Sequence, residues 1–503
     1  MTAPASATRA GTGARPRWYV VGLALAAALA AVVRAVNILI VRPTCLEDLV
    51  ARVEAGGTTW NPDQCPSGEF AIWGDSAYGY LQARLLARGH GFVDGAGWFV
   101  SGGDLYRSSA GDPPLYATFL GVLSRLGLTG GTSLRLASAA AGVVGVVLIG
   151  LLARRVAGPR AGVIAAGIAA VYPMLWINDG MLLSESLFVP LVVAALLATY
   201  RLWDRPSWAS AALAGLAIGA AALTRAEASL LVVVPVVPLV WGLRGQAVRR
   251  RLGLGLAAAG VALVVVAPWL VYNLGRFEEP VLMTSQTGAV LSAASCDATF
   301  YGERLGYWDD CMSWYVATGR VSGWPDADLD ESQRDAVPRQ AAVDYTREHL
   351  GRLPVVMAAR VGRLWDVYEP AESVRFNAVI EGRGLWASRA GIVAYALLVP
   401  FALAGTYDRW RHRVPVSPLV AMPLIVTVTA AMTFGITRYR APADAALVVA
   451  AAVGLELVAR RWSPAPADDG TVRRRPPTAS PARAVPSGPT DAEPVAPEDH
   501  EPA

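Results

Sequence analysis

The sequence predicts an all-α protein that crosses a membrane many times, on three observations. The 503 residues are 54% hydrophobic and only 17% charged, whereas soluble domains run at roughly 45–50% apolar and about 25% charged. Several apolar runs reach the ~17–25 residues that a helix needs to cross a hydrocarbon core. The arginines gather between those runs, and the net charge is only +4. That pattern sets membrane orientation and gives no nucleic-acid footprint.

Taken in order, the apolar runs place spans at about 18–41, 134–153, 161–178, 181–201, 208–223, 228–243, 252–274, 387–404, 415–435 and 441–459. The first run is long and lacks a small-residue cleavage site, so it is expected to stay as a span and not to be a signal peptide. The N-terminal tail, 1–17, holds Arg9, Arg15 and Arg17. Later basic turns are Arg154/Arg155/Arg160, Arg201/Arg205, Arg244/Arg249/Arg250/Arg251, Arg409/Arg411/Arg413 and Arg460/Arg461. With ten spans every one of these lies on one side, which the positive-inside rule makes cytoplasmic, with both termini inside. The stretch "PPLYATFLGVLSRLGL" (113–128) is short and carries Arg125. Counting it as a span would put the basic turns on alternating sides, so it reads as a helix at the outer interface. The alternative is a short tilted span, giving eleven.

The opposite side then receives two large loops, about 42–133 and 275–386. Cys45 and Cys65 lie in the first, Cys296 and Cys311 in the second. Two cysteines per loop, all outside, suggest two disulfides in an oxidising compartment; the alternative is four unpaired thiols. Residues 462–503 are rich in Pro, Ala, Asp, Glu and Arg and read as a disordered cytoplasmic tail. One membrane domain, 18–461, is left. It contains no Walker or Rossmann glycine spacing.

Polar residues near the outer face carry the chemistry. In "WGDSAYGYLQARLLARGHGF" (73–92), Asp75 and Tyr78 are i, i+3 neighbours on an interfacial helix that also carries Tyr80. Asp75 could cap that helix, and a cap can also be catalytic. In "YPMLWINDGMLLSESLF" (172–188), an Asn-Asp-Gly turn accounts for Asp179. It does not account for Glu185, an acid inside an apolar run, and such groups usually face a cavity or a partner. "LTRAEAS" (223–229) adds Arg225 and Glu227, with simple pairing to other loop charges as the alternative. "TRYRAPAD" (437–444) puts Arg438 and Arg440 at the outer ends of spans, against the charge rule. A phosphate is the natural reason, because guanidinium binds its oxygens bidentately; snorkelling to headgroups is the alternative. Arg34 is a weaker candidate of the same type. Carboxylates beside a phosphate clamp, with no nucleotide motif, point to an enzyme using a lipid-phosphate-linked donor. Asp75 would act as general base toward a hydroxyl, or Asp75 and Glu185 would hold a divalent cation. The sequence leaves both open.

The segments "GDSAYGYLQARLLARGHGF", "DPPLYATFLGVLSRLGL", "RLASAAAGVVGVVLIGLLARRVAGPRAGVIAAGIAAVYP", "MLLSESLF", "ALTRAEASLL" and "TRYRAPAD" occur in an order and spacing that resembles the C-type membrane glycosyltransferases. The similarity is to glycosyltransferase family 39, the dolichyl-phosphate-mannose protein mannosyltransferase and aminoarabinose transferase group, over about 18–461. The resemblance implies transfer of a sugar from a polyprenyl phosphate to an acceptor on the extracytoplasmic face of the plasma membrane. It implies Asp75 as base, Glu185 with nearby Asp179 as the acidic second-loop position, and Arg438 and Arg440, with Arg225, as holders of the lipid phosphate. Tyr78 and Tyr80 would line the interface and contact sugar. Two departures stand out. Many relatives carry an Asp-Glu pair where this chain has Asp75-Ser76, and His or Lys where this chain has Asp112 before Pro113-Pro114. The second puts a cationic or metal-binding role there in doubt; Asp112 reads as a plain turn residue, with direct binding of a cation as the alternative. The rival readings are a polysaccharide polymerase or ligase and a lipid-linked sugar transporter. No internal repeat of the transporter kind is visible.

Overall fold

The computed structural model describes residues 16–45, 47–55, 65, 68–325 and 328–462. Arg9, Arg15 and the tail read over 463–503 lie outside the described residues. The chain divides into a compact unit, Met1–Ala459, which holds the helical bundle, and a second, Arg460–Ala503.

Of its helices, fourteen are labelled in chain order: α1 is Arg17–Val36, α2 Asp75–Arg88, α3 Pro114–Arg125, α4 Gly131–Ala157, α5 Pro159–Val171, α6 Pro173–Asp179 and α7 Glu185–Asp204. Then come α8 Trp208–Ala222, α9 Val248–Leu274, α10 Glu331–Glu348, α11 Leu353–Leu364, α12 Leu385–Arg411, α13 Ser417–Met432 and α14 Ala441–Trp462. The described residues contain no strand, only the isolated bridges Thr44–Phe70 and Val93–Ser108.

Six helices are long and apolar enough to cross a membrane; a bent pair, α5 with α6, makes a seventh, and 208–222, 226–241 and 417–432 are shorter apolar segments. These coincide one for one with the ten runs read from the sequence, so the chain is an all-α, multi-pass membrane protein. Two of the runs are not single straight helices. The 161–178 run bends by 56° at Tyr172, whose backbone is extended ahead of Pro173, as the steric demand of a following proline requires. The 228–243 run is a 3-10 turn, Ala226–Val232, followed by a short helix, Val236–Trp241. Pro235 and Pro238 withdraw two backbone donors there. The 113–128 stretch forms α3, whose 12 residues reach ~18 Å at 1.5 Å per residue, short of a bilayer core. It packs on α2.

The bundle closes on small residues. A Cβ at Gly405 of α12 would lie 2.0 Å from the Ala450 carbonyl oxygen, and one at Gly454 of α14 would lie 2.1 Å from that of Phe401. The two backbones therefore touch, as close-packed membrane helices do. Helix α14 is buried on all sides through Ala445, Ala446, Val448, Val449, Ala450 and Ala451, which makes it the enclosed centre. By contrast α9 and α12 expose Leu256, Leu263, Leu397 and Leu403, an apolar face suited to lipid. The two large loops meet over one end of this bundle, and Cys45–Cys65 and Cys296–Cys311 are both disulfides.

Candidate active site

Every short segment that leaves the bundle at the end carrying the two large loops contributes to one cavity of about 590 Å³. Asp75 enters from the first turn of α2. Gly74, at φ +55°, is the residue before that helix, and Asp75 makes no capping bond, so the sequence reading of Asp75 as a cap is corrected. Its carboxylate is 58% exposed and accepts from Arg438 Nη1 at 2.6 Å. Arg438 comes from the 3-10 turn Thr437–Arg440 that opens α14. Its Nε donates to Glu185 Oε1 at 2.7 Å, and Arg225 Nη1 donates to the same oxygen at 2.7 Å. Arg225 Nε reaches Glu227 Oε1 at 2.8 Å. The result is a chain of alternating charge, Asp75–Arg438–Glu185–Arg225–Glu227, with Tyr439 under the Arg225 guanidinium at 5.0 Å.

Glu185 is the pivot. It is 2% exposed, and its second oxygen has no hydrogen-bond partner. One buried carboxylate thus orients two arginines toward the cavity, and each arginine keeps N–H groups for a ligand. The second large loop supplies Glu381, whose Oε1 accepts from the Trp308 indole at 3.2 Å and whose Oε2 lies 4.0 Å from Arg438 Nη1. Neither Glu381 nor Trp308 was found from sequence: the loop has no periodicity to single them out.

Asp112, read as a turn residue, opens onto the cavity. Its backbone N–H donates to the Tyr78 hydroxyl at 3.3 Å. Although Asp112 is exposed to the cavity, desolvation by the surrounding protein, and then the charge of Asp75, push its carboxyl up to about 7, against the pull of Arg225 and Arg438. Opposite, Leu182 sits at φ +53° between the lining residues Met181 and Leu183. That is a costly conformation for a leucine, held in part by Ser76 Oγ donating to the Met181 carbonyl at 2.5 Å.

Three residues expected at the site are elsewhere. Arg440 is fully buried between Asp366, at 2.7 Å, and Asp444, at 3.0 Å, with Tyr395 at 3.8 Å under its guanidinium. Its place in the turn aims it away from the cavity, into the bundle. Asp179 pairs with Arg34 at 2.7 Å and fills the space left by Gly142, where a Cβ would lie 2.0 Å from Asp179 Oδ2. Both partners read as functional are thereby accounted for by each other. Tyr80 is buried, its hydroxyl donating to Thr129 O at 2.9 Å. Tyr78 stands behind the cavity wall, beside Asp75 and Asp112. Among the described residues no three His, Cys, Asp or Glu side chains gather as a metal site. Asp75 and Glu185, the two carboxylates considered for a cation, are both engaged by arginine.

Residues 111–272 match the family model described as dolichyl-phosphate-mannose-protein mannosyltransferase. The resemblance to the C-type membrane glycosyltransferases stands. The matched segment runs from Gly111 and Asp112 at the cavity through Glu185 and Arg225. No curated protein matches the chain. Among solved structures, the chain is similar to the oligosaccharyltransferase of Archaeoglobus fulgidus tethered to an acceptor peptide, at 16% identity and a TM-score of 0.49, covering 89% of this chain and 50% of that one. The chain thus spans about half the length of that protein. It is also similar to ArnT of Cupriavidus metallidurans bound to undecaprenyl phosphate, at 17% identity and a TM-score of 0.37, covering 89% of this chain and 79% of that one.

Proposed function

We propose that this chain is a glycosyltransferase that moves a sugar from a polyprenyl-phosphate donor to an acceptor at the extracytoplasmic face of the plasma membrane. The observation that carries the reading is the sharing of Arg438 between Asp75 and Glu185 at the cavity. A donor phosphate entering at Arg438 and Arg225 would compete with Asp75 for Arg438 Nη1. Glu185, buried behind, would keep both guanidiniums in place. The Asp75 carboxylate, released toward the cavity, would then be free to take the proton of the attacking acceptor hydroxyl as that oxygen bonds to the sugar. The bond from sugar to phosphate oxygen breaks, its electron pair stays with the leaving phosphate, and the negative charge so gained is held by the two arginines. Binding and base activation are coupled in this scheme through one side chain.

The test is transfer from a panel of polyprenyl-phosphate sugars in reconstituted vesicles, with wild type and Asp75→Asn. Loss of a general base costs about 10²–10⁴-fold in rate, so the variant should fold, bind donor and turn over that much more slowly. Near-normal turnover by Asp75→Asn would sink the assignment. Movement of intact donor to the other leaflet, without transfer, would favour a transporter.

A further inference from the structure

At the opposite end of the bundle a second cavity of about 590 Å³ lies on α7, between α4 and α8. Helices α4 and α8 both pack on α7, and their separation leaves its flank open. The walls are of two kinds. Toward mid-bundle they are apolar: Leu148, Ala194, Leu197 and Ala217. At the end they are basic: Arg155, Arg201 and Arg205, with Asp204 the lining acid. Arg155 donates to both oxygens of Asp204, so that pair is self-satisfied. Arg201 and Arg205 are exposed, and among the described residues their guanidiniums have no partner. They are two unneutralised cations one helical turn apart at the rim of an apolar groove.

We propose that this groove binds one anionic phospholipid of the leaflet facing the basic turns, its phosphate on Arg201 and Arg205 and an acyl chain along Leu197, Ala194 and Ala217. The dimensions agree. From Arg205 back to Ala194 along α7 is ~16 Å at 1.5 Å per residue, about half of a ~30 Å hydrocarbon core and so the depth of one leaflet. Trp208, 58% exposed at the start of α8, stands at the arginine level, where interfacial tryptophans sit. Basic pockets between spans on the cytoplasmic side suit anionic headgroups. A free anion would use the arginines and leave the apolar wall without a role.

The test is native mass spectrometry of the full-length protein in detergent, titrated with phosphatidylglycerol or with phosphatidylcholine of the same chains. One saturable phosphatidylglycerol is expected, bound in preference to phosphatidylcholine. Arg201→Ala with Arg205→Ala should weaken it about 30-fold, and the double Lys variant should hold it nearly as well. Ala217→Trp keeps every charge and fills the wall, so it should weaken binding too; it also serves if the double alanine variant fails to fold. Equal binding of the two lipids, no effect of the alanine pair or of Ala217→Trp, or full displacement by millimolar inorganic phosphate would overturn the proposal.

Discussion

The arginines at positions 438 and 440 are two residues apart and do different work. Arg440 holds two buried carboxylates, Asp366 and Asp444. Removing a partner from a buried ion pair costs about 3–5 kcal/mol, so Arg440→Ala should lower the melting temperature sharply. Arg438→Ala leaves Arg225 on Glu185; it should fold and lose donor affinity. Thermal melting and donor binding measured on both variants separate the roles, and the same profile for both would contradict them. Asp112 gives a pH signature. An Asp ionises near 3.9 when unperturbed and near 7 here, so ionising it costs folded-state stability. The penalty is absent below about pH 4, grows between, and is full above about pH 7. Asp112→Asn should therefore melt with wild type at about pH 4 and above it at about pH 8. Asp75, Glu185 and Arg438 were legible in sequence because an ionisable group beside an apolar run is conspicuous. Asp112 does lie in a bend, but its place in the cavity was not legible, because a polar residue before two prolines looks like any turn. Arg440 was misread because its partner Asp366 is 74 residues away in a loop without pattern.

Helices were the most legible element, since long apolar runs leave few alternatives, and all ten runs appear as helical segments, six of them single helices long enough to span. What the runs did not convey was where they break. Proline marks each break, but a proline also sits inside α7, α9, α12 and α13 without ending them. Packing against neighbours decides between the two outcomes. The crossing of α12 and α14 is the sharpest case of packing by absence of side chain. Gly405→Leu would drive its Cβ toward the Ala450 carbonyl, so the helices must part. Overpacking of this kind costs ~1–3 kcal/mol, to be read as a drop in detergent melting temperature, and Gly454→Leu should match it. If either variant melts with wild type, the backbones of α12 and α14 do not touch at this crossing.

The molecule as a whole is a bundle with its chemistry at one end, roofed by loops that a helical core alone does not specify. The two disulfides hold that roof. Cys296–Cys311 closes a separation of 15 residues and Cys45–Cys65 one of 20, each worth ~3 kcal/mol on loop-closure grounds. Ala293, three residues before Cys296, lines the cavity, as does Trp308, three before Cys311. Reductant should therefore lower transfer activity before it unfolds the bundle. Activity and helical circular dichroism followed together during reduction test this, and simultaneous loss would show the roof and the bundle to be one cooperative unit.

Among the described residues, four acids, Asp75, Asp112, Glu227 and Glu381, line the cavity beside two arginines, Arg225 and Arg438. With more carboxylates than guanidiniums, the lining should repel an anionic phosphate above the Asp112 ionisation near 7, before the two arginines engage it. An approaching anion meets a barrier of its own sign, and dissolved salt lowers such barriers by screening. Moderate ionic strength should thus speed capture of an anionic donor, the reverse of the behaviour of a simple basic phosphate site.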